Sequence, residues 1–566
     1  MDLEEIKETD TWLLYDKGLN YLRMHNVLSD TDVNYRMYNG NQWEGVILDG
    51  VEPVQYNFIE TIVNYKVSTI NSNLWAINYS SENFENRDLL NEAENVCKML
   101  NKKAANVWEK DQMDYKIRQT SDDAAINDEG VIYVTYDESE QSPVNEVINK
   151  QNVMYGNENS SDIQSQPYIL ISQRLPVSQA QEVARQHGAK ESDLKYIVGD
   201  NITFDEAGLD AKQEVDDMCT LVTKMWKDKG TVWYSQATRY VDIIEDTDTK
   251  LRLYPLAHFV WNEKKGWSRG EGEVRGLKAN QLELNKTIMR TLLSVKNCAY
   301  PQKIANMDKI QNPSAVSQIG GVIKTKNGAT VDDVRNIFGY VQPTSMSTDV
   351  TKVTNDLIGI TRELKNAAEI ATGGINPEQA SGKAILAVQQ ASQQPLVKQL
   401  TGLKRFIEDL ARIWMDMWNV YTPDGMQLEE DAKDMQTGED YTQLYKVPST
   451  LLEKLKTRVK VDITPKGAFD RYARELTLEN FAKAGFFTPQ RVNELRYYAE
   501  ALPDDAAAPK QDLLNICEKI MEDQQKIAMI NAQAQIMQQN ANQFINATPE
   551  DQATAIGNAM EGTTGM

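Results

Sequence analysis

Apolar residues recur every three or four positions through two long segments near the middle of the chain. In the first, Leu284, Ile288, Leu292, Val295 and Ala299 fall on one helical face. In the second, Val350, Val353, Leu357, Ile360, Leu364, Ala367 and Ala371 alternate steps of three and four, an a/d heptad seam of the kind that packs along another helix. Taken as 272–298 and 348–371, each helix is roughly 35–40 Å long. Residues 300–345 between them are punctuated by Pro301, Pro313, Gly320, Gly321, Gly328 and Pro343, which predicts a compact insert with a short strand over 322–325 and a turn of helix or strand over 331–338. The expectation is two matched rods joined at one end by a small domain. An ordinary helical hairpin in a large core shares this periodicity.

The flanks read as mixed. Trp12, Leu13, Tyr15, Leu19 and Leu22 form one helical face, and Asn39-Gly40 is a helix stop followed by a turn. Helices follow through Ile59, Ile62, Val63, Val67 and Ile70, and through Val96, Met99, Leu100, Ala104, Val107 and Trp108. The period then shortens to that of a strand over 131–136, opened by Gly130, with another strand over 168–171 and a short helix over 178–187. A β-meander is predicted over 220–226, 231–235, 239–244 and 250–254, with turns at 228–230 and 246–248. The second long helix fails at 371–377, where Gly373 and Gly374 precede Ile375-Asn376-Pro377, and a helix resumes over 379–418 with a bend at Pro395. Next come an acidic loop over 429–440, a strand over 459–463, and helices flanked by Pro465, Pro489 and Pro503. Past Pro509, Leu513, Ile516, Ile520, Ile527 and Ile530 keep a heptad beside a face rich in Gln and Asn.

Composition narrows the class. A chain of 566 residues holds two to four packed units, and 41% hydrophobic with 25% charged residues is a globular balance. The formal net charge of -23 argues against wrapping DNA or docking on an anionic membrane. It leaves room for a surface that DNA passes without sticking. Cys97, Cys219, Cys298 and Cys517 form no CxxC pair and read as reduced, partly buried thiols. His25, His187 and His258 are too scattered for a histidine metal site. The longest uncharged run, 527–549, is crowded with Gln and Asn and predicts no membrane span, so the chain is expected to be soluble and made in the cytoplasm.

Catalytic motifs are wanting. The run Gly270-Glu271-Gly272-Glu273-Val274-Arg275-Gly276 fails as a dinucleotide fingerprint because Arg275 stands where glycine is needed; it reads as a tight joint before the first long helix. The acidic pairs Asp122-Asp123, Asp216-Asp217, Asp332-Asp333 and Asp246/Asp248 read as solvated turns, since metal-dependent nucleases need several converging carboxylates. No phosphate loop, GxSxG elbow or HExxH motif is present, so no catalytic, cofactor or metal residue is predicted.

Three stretches in order resemble the portal proteins of tailed bacteriophages: Tyr254-Pro255-Leu256-Ala257-His258-Phe259-Val260-Trp261 running on to Gly272-Glu273-Val274, then Asn280-Gln281-Leu282-Glu283-Leu284-Asn285-Lys286, then Gln379-Ala380-Ser381-Gly382-Lys383-Ala384-Ile385. Tyr38-Asn39-Gly40-Asn41-Gln42-Trp43 and Asp128-Glu129-Gly130 look similar too. The resemblance implies an α+β, predominantly helical ring subunit. Its parts would be a wing (1–255 and 383–505), a stem (256–299 and 346–371), a clip (300–345), a tunnel loop (369–382) and a crown with a disordered tail (506–566).

It further implies a homo-oligomeric ring, typically dodecameric, at one capsid vertex of the virion. Double-stranded DNA would pass through the channel without sequence preference. The large terminase subunit, head–tail adaptor, major capsid and scaffolding proteins would be partners; no cofactor or membrane is implied. The stem seam is expected to be Val350, Val353, Leu357, Ile360 and Leu364. With that seam buried, the channel face would carry Lys352, Asn355, Arg362, Asn366 and Glu369, whose mixed signs would hold DNA weakly. Gly373, Gly374, Ile375, Asn376, Pro377 and Lys383 would form the tunnel loop, and Leu513, Ile516, Ile520, Ile527 and Ile530 the crown packing. Two other readings stay open: a ring-forming or scaffolding virion protein without a channel, and a metal-dependent nuclease.

Overall fold

The computed structural model describes residues 7–44, 53–81, 87–200, 217–299, 303–318, 322–326, 338–340, 349–364, 394–422, 426–433, 440–447, 457–465, 516–517, 519–521 and 526–527. The chain divides into two units, Met1–Thr464 and Pro465–Met566. In the second, the described residues are helical, with Ile516 and Ile527 exposed, Ile520 half-buried and Cys517 buried; Leu513 and Ile530 lie outside them.

The first unit opens with helices α1 (Asp10–Met24), α2 (Val27–Tyr38) and α3 (Phe58–Ile70), strand β1 (Asn73–Ser81), and helices α4 (Arg87–Lys110) and α5 (Met113–Ile126). Thr9 caps α1 by accepting the Trp12 amide at 3.2 Å. Trp12, Tyr15, Leu19 and Leu22 are buried as the period requires, whereas Leu13, one step out of phase, is exposed. Asn26, with φ 58°, breaks α1 from α2, so the stop at Asn39-Gly40 ends a second helix.

Strands β2 (Glu129–Asp137), β3 (Ser142–Ile148), β4 (Val153–Tyr155), β5 (Tyr168–Pro176), β6 (Met218–Asp228), β7 (Thr231–Ala237), β8 (Asp242–Asp248) and β9 (Leu256–Val260) follow, with helices α6 (Val177–Gln186) and α7 (Glu191–Leu194) after β5. They make two antiparallel sheets, ordered β4-β5-β6-β7-β8 and β3-β2-β9. The meander departs from expectation at its end. The predicted turn at 246–248 is strand, and 250–254 is not. There the Asp416 carboxylate accepts the Arg252 and Leu253 amides at 2.7 and 2.9 Å, doing what a neighbouring strand would otherwise do. The chain therefore leaves the first sheet and enters the second as β9.

From β9 the chain runs through a tight loop into α8 (Glu273–Ala299), then β10 (Lys303–Ala305), β11 (Phe338–Tyr340) and α9 (Asp349–Leu364). β10 pairs with β11, closing the described part of the insert between the two long helices. The expected strand over 322–325 is a single bridge, Ile310 to Thr325, and 331–337 lie outside the described residues. A 3-10 turn over Gln394–Leu396, containing Pro395, leads into α10 (Val397–Tyr421). Of the predicted acidic loop, 429–433 belong to β12 (Met426–Lys433) and 440 to β13 (Asp440–Val447), which pair with each other, while 434–439 lie outside the described residues; an isolated two-stranded ladder asks for no alternating apolar face, so composition hid these strands. β14 (Thr457–Pro465) pairs with β1.

One core cluster joins α3, α4, α5, β2, β9, the start of α8 and α10, with Trp261, Trp414, Trp418 and Phe406 among its fully buried side chains. Trp414 Nε1 donates to Asn145 Oδ1 at 2.9 Å, and the Tyr79 hydroxyl donates to the Ala411 carbonyl at 2.8 Å.

Asp122-Asp123 is not a solvated turn. It lies in α5, where the half-buried Asp123 accepts the Tyr35 hydroxyl from α2. Burial pushes Asp123 up to about 6; the Tyr35 bond and Lys150 pull the other way, while Asp122 adds to the rise. A carboxyl raised on folding contributes stability below its unfolded pKa and loses it as pH rises through the folded value. Asp123→Asn is thus expected to gain on the order of 2–3 kcal/mol over the parent between pH 4.5 and 8, read by urea unfolding at both pH values.

Candidate functional site: a helical hairpin and its polar root

The α8–α9 hairpin is the longest paired feature of the middle of the chain. Its apolar face is buried only near the root. Val274, Leu277 and Leu284 sit in the core and Ile288 packs against it, but Leu292 and Val295 are 46% and 58% exposed. Toward the root, polar side chains take core positions. Gln281 and Asn285, one turn apart, are fully buried. Gln281 accepts the Phe58 amide at 3.1 Å and donates to the Tyr56 carbonyl at 2.7 Å. Asn285 accepts the Tyr56 amide at 3.3 Å and donates to Gln42, which itself donates to the Met37 carbonyl at 3.1 Å. Asn280 donates to Thr361 Oγ1 at 2.9 Å, tying α8 to α9.

The first turn of α8 is fixed by charge. Glu273 accepts Lys66 Nζ at 2.8 Å and Trp261 Nε1 at 3.0 Å, all three buried, and its charge suits a helix N-terminus. The glycines before it form the tight joint the sequence suggested. Gly270 has φ 80°, and a Cβ on Gly272 would lie 2.1 Å from the Asn127 carbonyl oxygen.

Beneath the joint lies Arg269, wholly buried. Its Nη1 donates to Glu129 Oε1 at 2.6 Å and to the Lys150 carbonyl at 3.0 Å. Nη2 donates to the Val153 carbonyl and to Glu158 Oε1, each at 2.7 Å. His258 Nε2 lies 2.6 Å from Glu129 Oε2, and the Ser268 hydroxyl donates to Glu158 at 2.6 Å. Burial alone would raise Glu129, but Arg269, with His258 and Lys150, outweighs it and holds the carboxyl at about 2. The cluster's buried charges are paired with one another and with backbone carbonyls, as a structural anchor requires. Among the described residues no group of acids, histidines or cysteines could hold a metal ion.

The predicted seam of α9 is split between faces. Leu357 and Ile358 are half-buried against the core and Thr361 is buried, so α8 meets the stripe through Leu357, Ile358 and Thr361. Val353 and Ile360, one residue out of phase with that stripe, are 56% and 54% exposed. The cause is Thr361, whose bond to Asn280 turns a polar position inward. Val350 and Leu364 lie in the same helix. Lys352 and Asn355 are exposed and Arg362 is half-buried; Asn366, Glu369, Gly373, Gly374, Ile375, Asn376, Pro377 and Lys383 lie outside the described residues.

Among the described residues, the stretches that suggested a family converge here; residues 379–385 lie outside them. Gln42, Asp128-Glu129, His258, Trp261, Gly272-Glu273, Gln281 and Asn285 all belong to the root or to the cluster beneath it. Sequence reasoning had missed Arg269 and the role of Asn280, Gln281 and Asn285. The available signal was two amides at i and i+4 in phase with Leu277 and Leu284. No helix among the described residues is long and apolar enough to cross a membrane. Comparison with curated proteins gives no match. A family model described as phage P22-like portal protein matches residues 24–563, nearly the whole chain. The chain belongs to the P22-like portal protein family, and it is a phage portal protein, a structural component of the virion.

Proposed function

We propose that the α8–α9 hairpin is the stem of a closed ring, typically of twelve copies, and that genomic DNA is packaged and ejected through the ring's centre. The supporting observation is the hairpin itself: anchored at its root by buried hydrogen bonds, it leaves Leu292, Leu293, Val295, Val353 and Ile360 uncovered by its own chain. Apolar side chains at that density call for a neighbour, and a ring supplies one to every copy. Lys352, Asn355 and Arg362 on α9, with Asn366 and Glu369 beyond it, form the channel face; residues 373–377 and Lys383 form a loop that touches DNA.

A stem about 40 Å long faces on the order of 24 phosphates, so a lining of mixed sign lets DNA move where a uniformly basic one would hold it. The segment 300–345 is the clip, where the large terminase subunit and later the head–tail adaptor dock. Residues 1–255 and 383–505 form the wing, and 506–566 the crown. Negative-stain images of the purified chain, viewed down the ring axis, should contain closed rings with an axial hole. Rings without a hole, or filaments, would favour a scaffolding role instead.

A further inference from the structure

The exposed sides of the two stem helices carry opposite charge in a matching pattern. On α8, Leu282, Lys286, Met289, Leu293 and Lys296 step by four, three, four and three, so at 3.6 residues per turn they form one strip. Lys286, Leu293 and Lys296 are exposed, and Leu282 and Met289 half-buried. The strip is turned away from Leu277 and Leu284, although Leu282 at its root end also touches the core they belong to. On α9, Val353, Asp356, Ile360 and Glu363 step by three, four and three, and all four are exposed. They lie away from the stripe that meets α8, and to one side of Lys352, Asn355 and Arg362. Within one chain the two strips cannot meet, because α8 and α9 pack through their other faces.

Their heights agree. The Asn280–Thr361 bond fixes the register of the two helices near the root, and the β10–β11 pair in the insert that joins them calls for an antiparallel course. Counting along α8 and back along α9 from that bond puts Leu282 level with Ile360, Lys286 with Asp356, and Met289 with Val353, within one residue. Rotation about a ring axis moves a residue sideways and keeps its height, so these pairs stay level between neighbouring copies.

We propose that neighbouring stems join through these strips: α8 of one copy sets Lys286 between Leu282 and Met289, against Asp356 between Val353 and Ile360 on α9 of the next. The pairing rests on the ring reading above. The interface is head-to-tail, each copy giving α8 on one side and α9 on the other. Charge explains its selectivity, since copies of a chain with net charge -23 repel and only a local match of sign brings them together in one orientation. A strip facing DNA would have no use for the interleaved apolar residues.

The test is a charge swap in the full-length chain, using Lys286→Glu, Asp356→Lys and the double variant. Size-exclusion chromatography with light scattering over a concentration series reads the ring fraction, and circular dichroism checks the fold. Each single variant should raise the concentration needed for half-assembly about tenfold or more, and the double variant should restore most of that loss. Single variants that assemble like the parent, or a double variant no better than the worse single one, would overturn the pairing while leaving the ring intact as a reading. Normal rings of Lys286→Glu with weakened binding of mixed-sequence duplex DNA would overturn it too, assigning Lys286 to the channel. A parent chain that forms no rings would overturn both.

Discussion

Arg269→Met is expected to destabilise the chain by about 3–5 kcal/mol, because it strips the counter-charge from two buried carboxylates and takes one donor each from the Lys150 and Val153 carbonyls. Part of the cost is relieved if Glu129 takes up a proton. The variant's deficit should therefore shrink as pH falls from 7 toward 4, a trend followed by urea unfolding. The sign follows from Glu129, whose depressed carboxyl adds stability above its unfolded pKa, stability that depends on Arg269. Adding Glu129→Gln and Glu158→Gln should recover much of the loss, since neutral amides no longer need the guanidinium. If Arg269→Met alone unfolds like the parent, the cluster is not the anchor of the stem.

Leu357→Asp is expected to be nearly as damaging, but to assembly first. Leu357 is half-buried against the core beside Ile358, on the stripe that meets α8. A carboxylate there costs several kcal/mol unless it reaches solvent or takes up a proton, and the cheapest relief is to open the hairpin. Opening it disorders the surfaces a neighbour would use. Light scattering should find monomer where the parent forms rings, with the far-ultraviolet circular dichroism little changed. Rings in parental yield would exclude this stripe from assembly.

The sequence made the hairpin legible because periodicity survives wherever one face is buried. Trp12, Tyr15, Leu19 and Leu22, or Ile59 to Ile70, could be placed on a face for that reason. Three things hid the rest. Strands supported by a single partner, such as β1, β12 and β13, need not alternate. The stretch 250–254 looked like a strand because its residues are strand formers, and nothing local announces the distant Asp416 that holds it. The heptad of α9 does not map onto one buried face, since Leu357 is half-buried against the core while Val353 and Ile360 are exposed. Arg269 and the amides of Asn280, Gln281 and Asn285 were visible as residues but not as a structure, since their partners lie more than eighty positions away in the chain. Family resemblance supplied the function that periodicity alone could not.

The polar root has a geometric consequence for closure. Apolar contacts alone let a helix roll about its own long axis with little penalty, whereas Asn280 bonds to Thr361 on one side and Gln281 and Asn285 bond to Gln42, Tyr56 and Phe58 on another, which fixes that roll. Each copy then offers its two flanks at a set azimuth. In a ring of about a dozen members, small errors at every joint add up, and a few degrees each would turn the last copy away from the first and leave an open spiral. In the proposed ring these buried hydrogen bonds would act as an angular tolerance on the assembly, and loosening them should trade closed rings for helical filaments before it costs the fold.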